Sequence, residues 1–141
     1  MARTWRSGVT AALTAIALGG AGCVDTLPDE DLRITTTPPV AKLSVALLWK
    51  EHQDDAAAAR DRYWGRAVEV SGLVTRVSEP NTPDPHVMFV QQDEHGVKAR
   101  LIAERAGEVL AAAKPGERLT LKCFCDQMTG GDLLLKSCVR P

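Results

Sequence analysis

Cys123-Phe124-Cys125 and Cys138 are the densest group of reactive side chains in this sequence. Residues two apart on a strand point to one side, so both thiols of the pair face a common surface. Their Cα atoms lie about 6.5 to 7 Å apart in an extended chain, too far for an unstrained bridge between them. Either can instead reach Cys138 across a hairpin. A two-residue Gly130-Gly131 turn sets Cys123 opposite Cys138, whereas a shifted or bulged register sets Cys125 there. One thiol is then left over for redox or soft-metal chemistry, with Met128 as the only soft ligand in obvious spacing. Asp93-Glu94-His95 offers two carboxylates and an imidazole, but all three crowd one tight turn and read as a solvated hairpin tip. No metal site is expected there. The sequence contains no nucleophile elbow of the G-x-S-x-G type, no H-E-x-x-H, no P-loop and no dinucleotide-binding glycine motif. The expectation is a protein that is not an enzyme and uses no cofactor.

The second candidate is Cys23. Arg3 and Arg6 make a short basic start, and residues 8–19 form an apolar run of twelve. A helix needs about 20 apolar residues to cross a hydrocarbon core of roughly 30 Å, so this run reads as the h-region of an export signal. Leu18-Gly19-Gly20-Ala21-Gly22-Cys23 resembles the lipobox of bacterial lipoproteins, cut before its cysteine. That resemblance implies a signal peptide over residues 1–22 and diacylglycerol and palmitate-type acyl chains on Cys23. Each buried methylene contributes roughly 0.8 kcal/mol, and about two chains suffice for stable anchoring. The expected location is the bacterial cell envelope, with an exported domain held to a membrane, where disulfides form and persist.

The whole chain has 141 residues and a net charge of −1. Loss of Arg3 and Arg6 leaves about −3 on the remainder, so no basic excess advertises nucleic acid. Aromatic residues are scarce, which argues against a base-stacking platform. Residues 24–40 are rich in Asp, Thr and Pro without an apolar period, so residues 23–41 read as a lipidated cysteine and flexible tether. The folded domain is placed at residues 42–141.

Residues 43–63 lack Gly and Pro, and Leu48, His52, Ala59 and Tyr63 draw one stripe along an amphipathic helix of about five turns, ended by Gly65. His52 on that stripe reads as a half-buried helix residue. From Arg66 the period becomes two. Val68 and Val70 share one parity and Leu73, Thr75 and Val77 the other, so Ser71-Gly72 reads as a β-bulge bending a long first strand. Residues 78–86 form a proline-rich loop. Residues 87–92 and 97–102 are two strands around an Asp93-Glu94-His95-Gly96 turn, with Val97, Ala99 and Leu101 inward and Lys98 and Arg100 outward. Residues 103–113 return to helix, Lys114-Pro115-Gly116 stops it, and residues 118–125 and 132–139 form the last hairpin. Mainly β with helices, the predicted fold is a five-stranded OB-fold barrel preceded by an N-terminal amphipathic helix.

Residues 59–65 (Ala-Arg-Asp-Arg-Tyr-Trp-Gly), 68–74 (Val-Glu-Val-Ser-Gly-Leu-Val), 115–119 (Pro-Gly-Glu-Arg-Leu), and Cys125 followed by Cys138 are similar in order and spacing to the tRNA_anti-like family of OB-fold lipoproteins. The resemblance covers residues 43–139. It implies a Cys125 to Cys138 disulfide and leaves Cys123, where the family usually carries Gly, as a free thiol. The function expected is a lipid-anchored binding or interaction module. Its surface would be the face of the second and third strands with loops 78–86 and 127–131, and its partner an envelope protein or oligosaccharide. The alternatives are single-stranded nucleic-acid binding, which the acidic loops make unlikely, and thiol or metal handling through Cys123.

Overall fold

Asp55 breaks what the sequence reads as one helix. The computed structural model describes residues 27–141, and in it α1 spans Val45–Asp54 and α2 spans Ala56–Tyr63. Asp55 is extended between them, with φ −154° and ψ 92°. Its amide N–H still donates to the Glu51 carbonyl, while its carboxylate accepts from the Ala58 N–H at 3.0 Å. An aspartate inside a helical pattern competes for backbone donors in this way, so it ends one helix and caps the next. Ser44 caps α1 by accepting from the Leu47 N–H. The stripe survives the break, because Leu48, His52, Ala59 and Tyr63 are all buried.

The strands are β1 (Ala41–Ser44), β2 (Ala67–Leu73), β3 (Arg76–Val77), β4 (His86–Gln92) and β5 (His95–Leu101). After α3 (Ala103–Ala112) come β6 (Arg118–Thr129) and β7 (Asp132–Val139). They form one sheet in the order β1-β2-β6-β7-β5-β4-β3. This corrects the expected five-stranded barrel: among the described residues the sheet has seven strands, and its edges β1 and β3 do not pair with each other. Both extra strands have a simple origin. β1 comes from the end of the expected tether and pairs in parallel with β2, and β3 is the continuation of the long first strand. Between β2 and β3 the chain changes partners. The Val74 N–H donates to Glu117 on the β6 side, and the Thr75 N–H donates to Met88 on β4.

The bulge expected at Ser71-Gly72 does not occur, since β2 pairs with β6 in unbroken register from Ala67 to Leu73. Val68, Val70 and Val74 all point inward, and Leu73 and Val77 point out. Gly72 has a different reason. A Cβ there would sit 2.9 Å from Val45 of α1, so the glycine lets the helix lie directly on the sheet.

A main core fills the space between the sheet and helices, with Phe89, Leu48, Leu121, Leu133 and Leu135 fully enclosed. A second, smaller core of Ile34, Ala67, Ile102, Phe124 and Val139 lies on the opposite face of the sheet. Part of the segment read as a flexible tether builds it. Residues 27–40 lie along the domain, with Ile34 fully buried in a 3-10 helix (Leu32–Thr35) that Asp31 caps. The Asp31 N–H donates to Ser137 Oγ at 2.8 Å, and Glu30 accepts from the Ala103 N–H at 2.9 Å, taking the place of a cap residue on α3. One apolar residue in a polar run gives too weak a period to reveal such docking, and the proline and threonine around it hide it further. Cys23 and the expected signal lie outside the described residues.

Candidate functional site

Alternation along β5 places Lys98 and Arg100 on one face, and the proline-rich loop delivers their partner. Asp84 stands between Pro83 and Pro85, each of which restricts its neighbour's backbone. The loop is tied at its base, where the Ser78 N–H donates to the His86 carbonyl and the His86 N–H donates to Ser78 Oγ. The Asp84 carboxylate accepts from Lys98 Nζ at 2.8 Å and from Arg100 Nε at 2.7 Å. Thr129, Asp132 and Leu134 of the last hairpin complete a groove of about 350 Å³. Of the two loops that the sequence assigns to one surface, Asp84 of 78–86 and Thr129 of 127–131 reach this groove, whereas residues 127–129 belong to β6 and Gln127 and Met128 do not line it.

The charges in and beside this groove form a chain. Arg100 Nη1 reaches Asp29 at 3.1 Å, Asp29 lies 3.4 Å from Lys136 Nζ, and Lys136 lies 3.4 Å from Asp126. Trp64 Nε1 donates to Asp126 Oδ1 at 3.3 Å and closes the chain. Lys136 and Asp126 are buried, so their pairing offsets a desolvation cost that either alone would bear in full. Burial works against ionisation of Asp84, but the hydrogen bonds from Lys98 and Arg100 outweigh it and hold the carboxyl below its usual range. Three cations and, with Asp132, four carboxylates therefore share this surface. None of the residues lining the groove is aromatic, and Phe89 and Phe124 are buried. The sequence reading missed Asp29, Asp126 and Lys136 as partners. Asp29 lies 71 residues from Arg100, and no local signal joins them.

Cys123 bridges Cys138, with Cα atoms 4.2 Å apart, and Cys125 is the free thiol. This reverses the assignment that the family resemblance implies. The hairpin starts in the two-residue register at Thr129 and Asp132, slips by one residue on β6 between Cys125 and Met128, and slips back on β7 between Lys122 and Phe124. Ser137, at φ 56°, carries the second irregularity. The two slips cancel, so the register of the Gly130-Gly131 turn is restored at the Cys123–Cys138 rung and Cys125 faces Leu135. Burial, with a smaller contribution from Asp126, pushes the Cys125 thiol up to about 12, which leaves it inert as a nucleophile.

Asp93 and Glu94 sit at the exposed β4–β5 turn with φ 47° and 65°. His95 turns away from them toward Asp132, at 3.5 Å. Among the described residues, no three His, Cys, Asp or Glu side chains converge as a metal would require. His52 is buried rather than half-buried, and its ring stacks on Tyr63 with centroids 6.2 Å apart.

The model of the tRNA_anti-like family matches residues 21–139. The crystal structure of a candidate nucleic acid-binding lipoprotein from Klebsiella pneumoniae subsp. pneumoniae MGH 78578 is similar, with a TM-score of 0.53 and 15% sequence identity. The match covers 79% of this chain and 97% of that one, and at that identity it speaks for the fold alone. No curated protein matches the chain.

Proposed function

This chain belongs to the tRNA_anti-like family, and from that premise we propose that it is a lipid-anchored, OB-fold-like binding module of the bacterial envelope, acting by interaction and not by catalysis. β2 with β3, β4, β5, β6 and β7 correspond to the five strands of an OB-fold, with β2 and β3 as the two halves of its first strand. The observation that supports the reading is the groove that Asp84, Thr129 and Asp132 form over Lys98 and Arg100. OB-folds bind on the face of their second and third strands, which are β4 and β5 here. A surface whose charges alternate in sign suits a ligand that carries both signs, such as a segment of another envelope protein. The anchor would be Cys23, with residues 24–26 as the lead between it and the segment docked on the domain.

The rival reading takes its support from the nucleic acid-binding description of the Klebsiella protein. A polyanion gains affinity by releasing counterions against cations, and the three cations here already face carboxylates. Affinity for single-stranded oligonucleotides at physiological salt is therefore expected to be no better than roughly 10⁻⁴ M. The deciding experiment places a photo-crosslinking residue at Thr129, on the groove, and at Lys50, on the exposed side of α1, in the anchored protein within native envelope. The module reading expects a protease-digestible adduct from Thr129 alone. A nuclease-sensitive adduct, submicromolar binding of an oligonucleotide, or equal labelling from both positions overturns it.

A further inference from the structure

The break at Asp55 leaves a cleft that the charged groove does not share. His52 of α1, Ala56, Ala57 and Arg60 of α2, and Gln127 and Met128 of β6 line a cavity of about 290 Å³. That is close to the lower end of small-molecule pockets, which begin at roughly 300 Å³. Its walls are mostly methyl, methylene and thioether groups.

His52 is 4% exposed, and the two nitrogens of its ring are in different situations. Nδ1 lies 2.8 Å from the Leu48 carbonyl oxygen, which can only accept, so Nδ1 carries a proton and donates. In the neutral ring Nε2 is then an acceptor. It is buried and has no hydrogen-bond partner. Buried polar atoms without a partner are rare in folded proteins, and each asks for an explanation. A core histidine kept only for its shape would be better replaced by Phe or Leu, which stack on Tyr63 without stranding a lone pair.

We propose that the cavity between α1, α2 and β6 is a binding site for a small, mainly apolar molecule carrying one hydroxyl group, which donates to His52 Nε2 while its hydrocarbon body packs against Ala56, Ala57 and Met128. Nε2 is enclosed, so contact with it requires the lining to give, and Met128, unbranched and able to repack at little cost, is the side chain that can do so. Arg60, whose guanidinium stands 5.3 Å from the Trp64 ring centroid, is at the same wall. A ring of six carbons with one hydroxyl is within the volume available. The site is separate from the Lys98 and Arg100 groove and stands whether or not that groove binds a protein.

The test uses phenol and, as its partner without a donor, fluorobenzene, titrated into the purified protein and followed by the Met128 methyl and His52 ring nitrogen resonances. Phenol is expected to saturate with a dissociation constant on the order of 1 mM or tighter, and to shift Nε2 rather than Nδ1. Fluorobenzene should bind at least about tenfold more weakly, since it leaves the nitrogen unpaired. His52→Phe should erase the preference between the two. Should that variant fold poorly, Ala57→Trp, at an exposed position on α2, fills the cleft with His52 intact and should abolish phenol binding. Equal affinity for the two probes, no saturation by phenol up to about 20 mM, or phenol binding that survives Ala57→Trp overturns the proposal.

Discussion

Replacing Cys138 by Ala separates the two possible bridges by their energetics. The Cys123–Cys138 bond joins positions 15 residues apart, and a loop of that size restricts the unfolded chain by about 3 kcal/mol in the chain-entropy model. For a domain of this length, roughly 4 to 6 °C of melting temperature goes with each kcal/mol, so the expected loss is on the order of 10 to 20 °C. Cys123→Ala must cost the same, and the double variant little more, because each removes the one bond. Cys125→Ala removes only a buried sulfur and should cost about 1 kcal/mol. Thermal unfolding of the four variants, paired with non-reducing peptide mapping, makes the measurement. With burial holding the Cys125 thiol near 12, iodoacetamide at pH 8 should label it only after denaturation, since only about one molecule in ten thousand is thiolate. A large loss for Cys125→Ala with a small one for Cys123→Ala would refute the register argument and restore the pairing that family resemblance implies.

Three further outcomes follow from the same structure. Cys23→Ala should leave an unprocessed or soluble precursor that takes up no palmitate label and does not pellet with membranes; labelling that persists would remove the anchor from the proposal. Ile34→Ala should cost about 2 to 4 kcal/mol in chemical denaturation, as for a fully enclosed side chain; a cost below about 1 kcal/mol would mean that residues 27–40 do not belong to the folded unit. Asp84 is held below its ordinary value in the folded state, so its contribution is present above the unfolded value of about 3.9 and is lost as pH falls through the folded one. The stability gap between the native protein and Asp84→Asn, no more than about 1 kcal/mol for so exposed a group, should be constant above pH ~5 and close at lower pH; a gap that grows on acidification contradicts the ion-pair geometry.

Local patterns told much of this molecule. The switch from a 3.6-residue period to a 2-residue period at Arg66 placed β2, β4, β5, α3, β6 and β7 within a few residues, because burial on one face is written in neighbouring positions. Gly130-Gly131 announced its hairpin, and Lys98 and Arg100 were legible as outward-facing cations. What stayed hidden depends on contacts between residues far apart in the chain. Gly72 looked like a bulge because sequence shows the parity of its neighbours but not Val45 resting against it. Residues 27–40 looked like a tether because a single buried Ile34 makes no period, and its core is supplied by Ala67, Ile102, Phe124 and Val139. Asp29 and Arg100, or His52 and Met128, carry no mark of one another in sequence. The cysteine pairing turned on two slips in one hairpin, and a single-residue shift exchanges which thiol faces Cys138. Sequence determined most of the helices and strands and, for β4, β5 and β7, which way their side chains alternate; the tertiary structure decided the docked segment, register, partners and cavities, because these arise only where separately encoded surfaces meet.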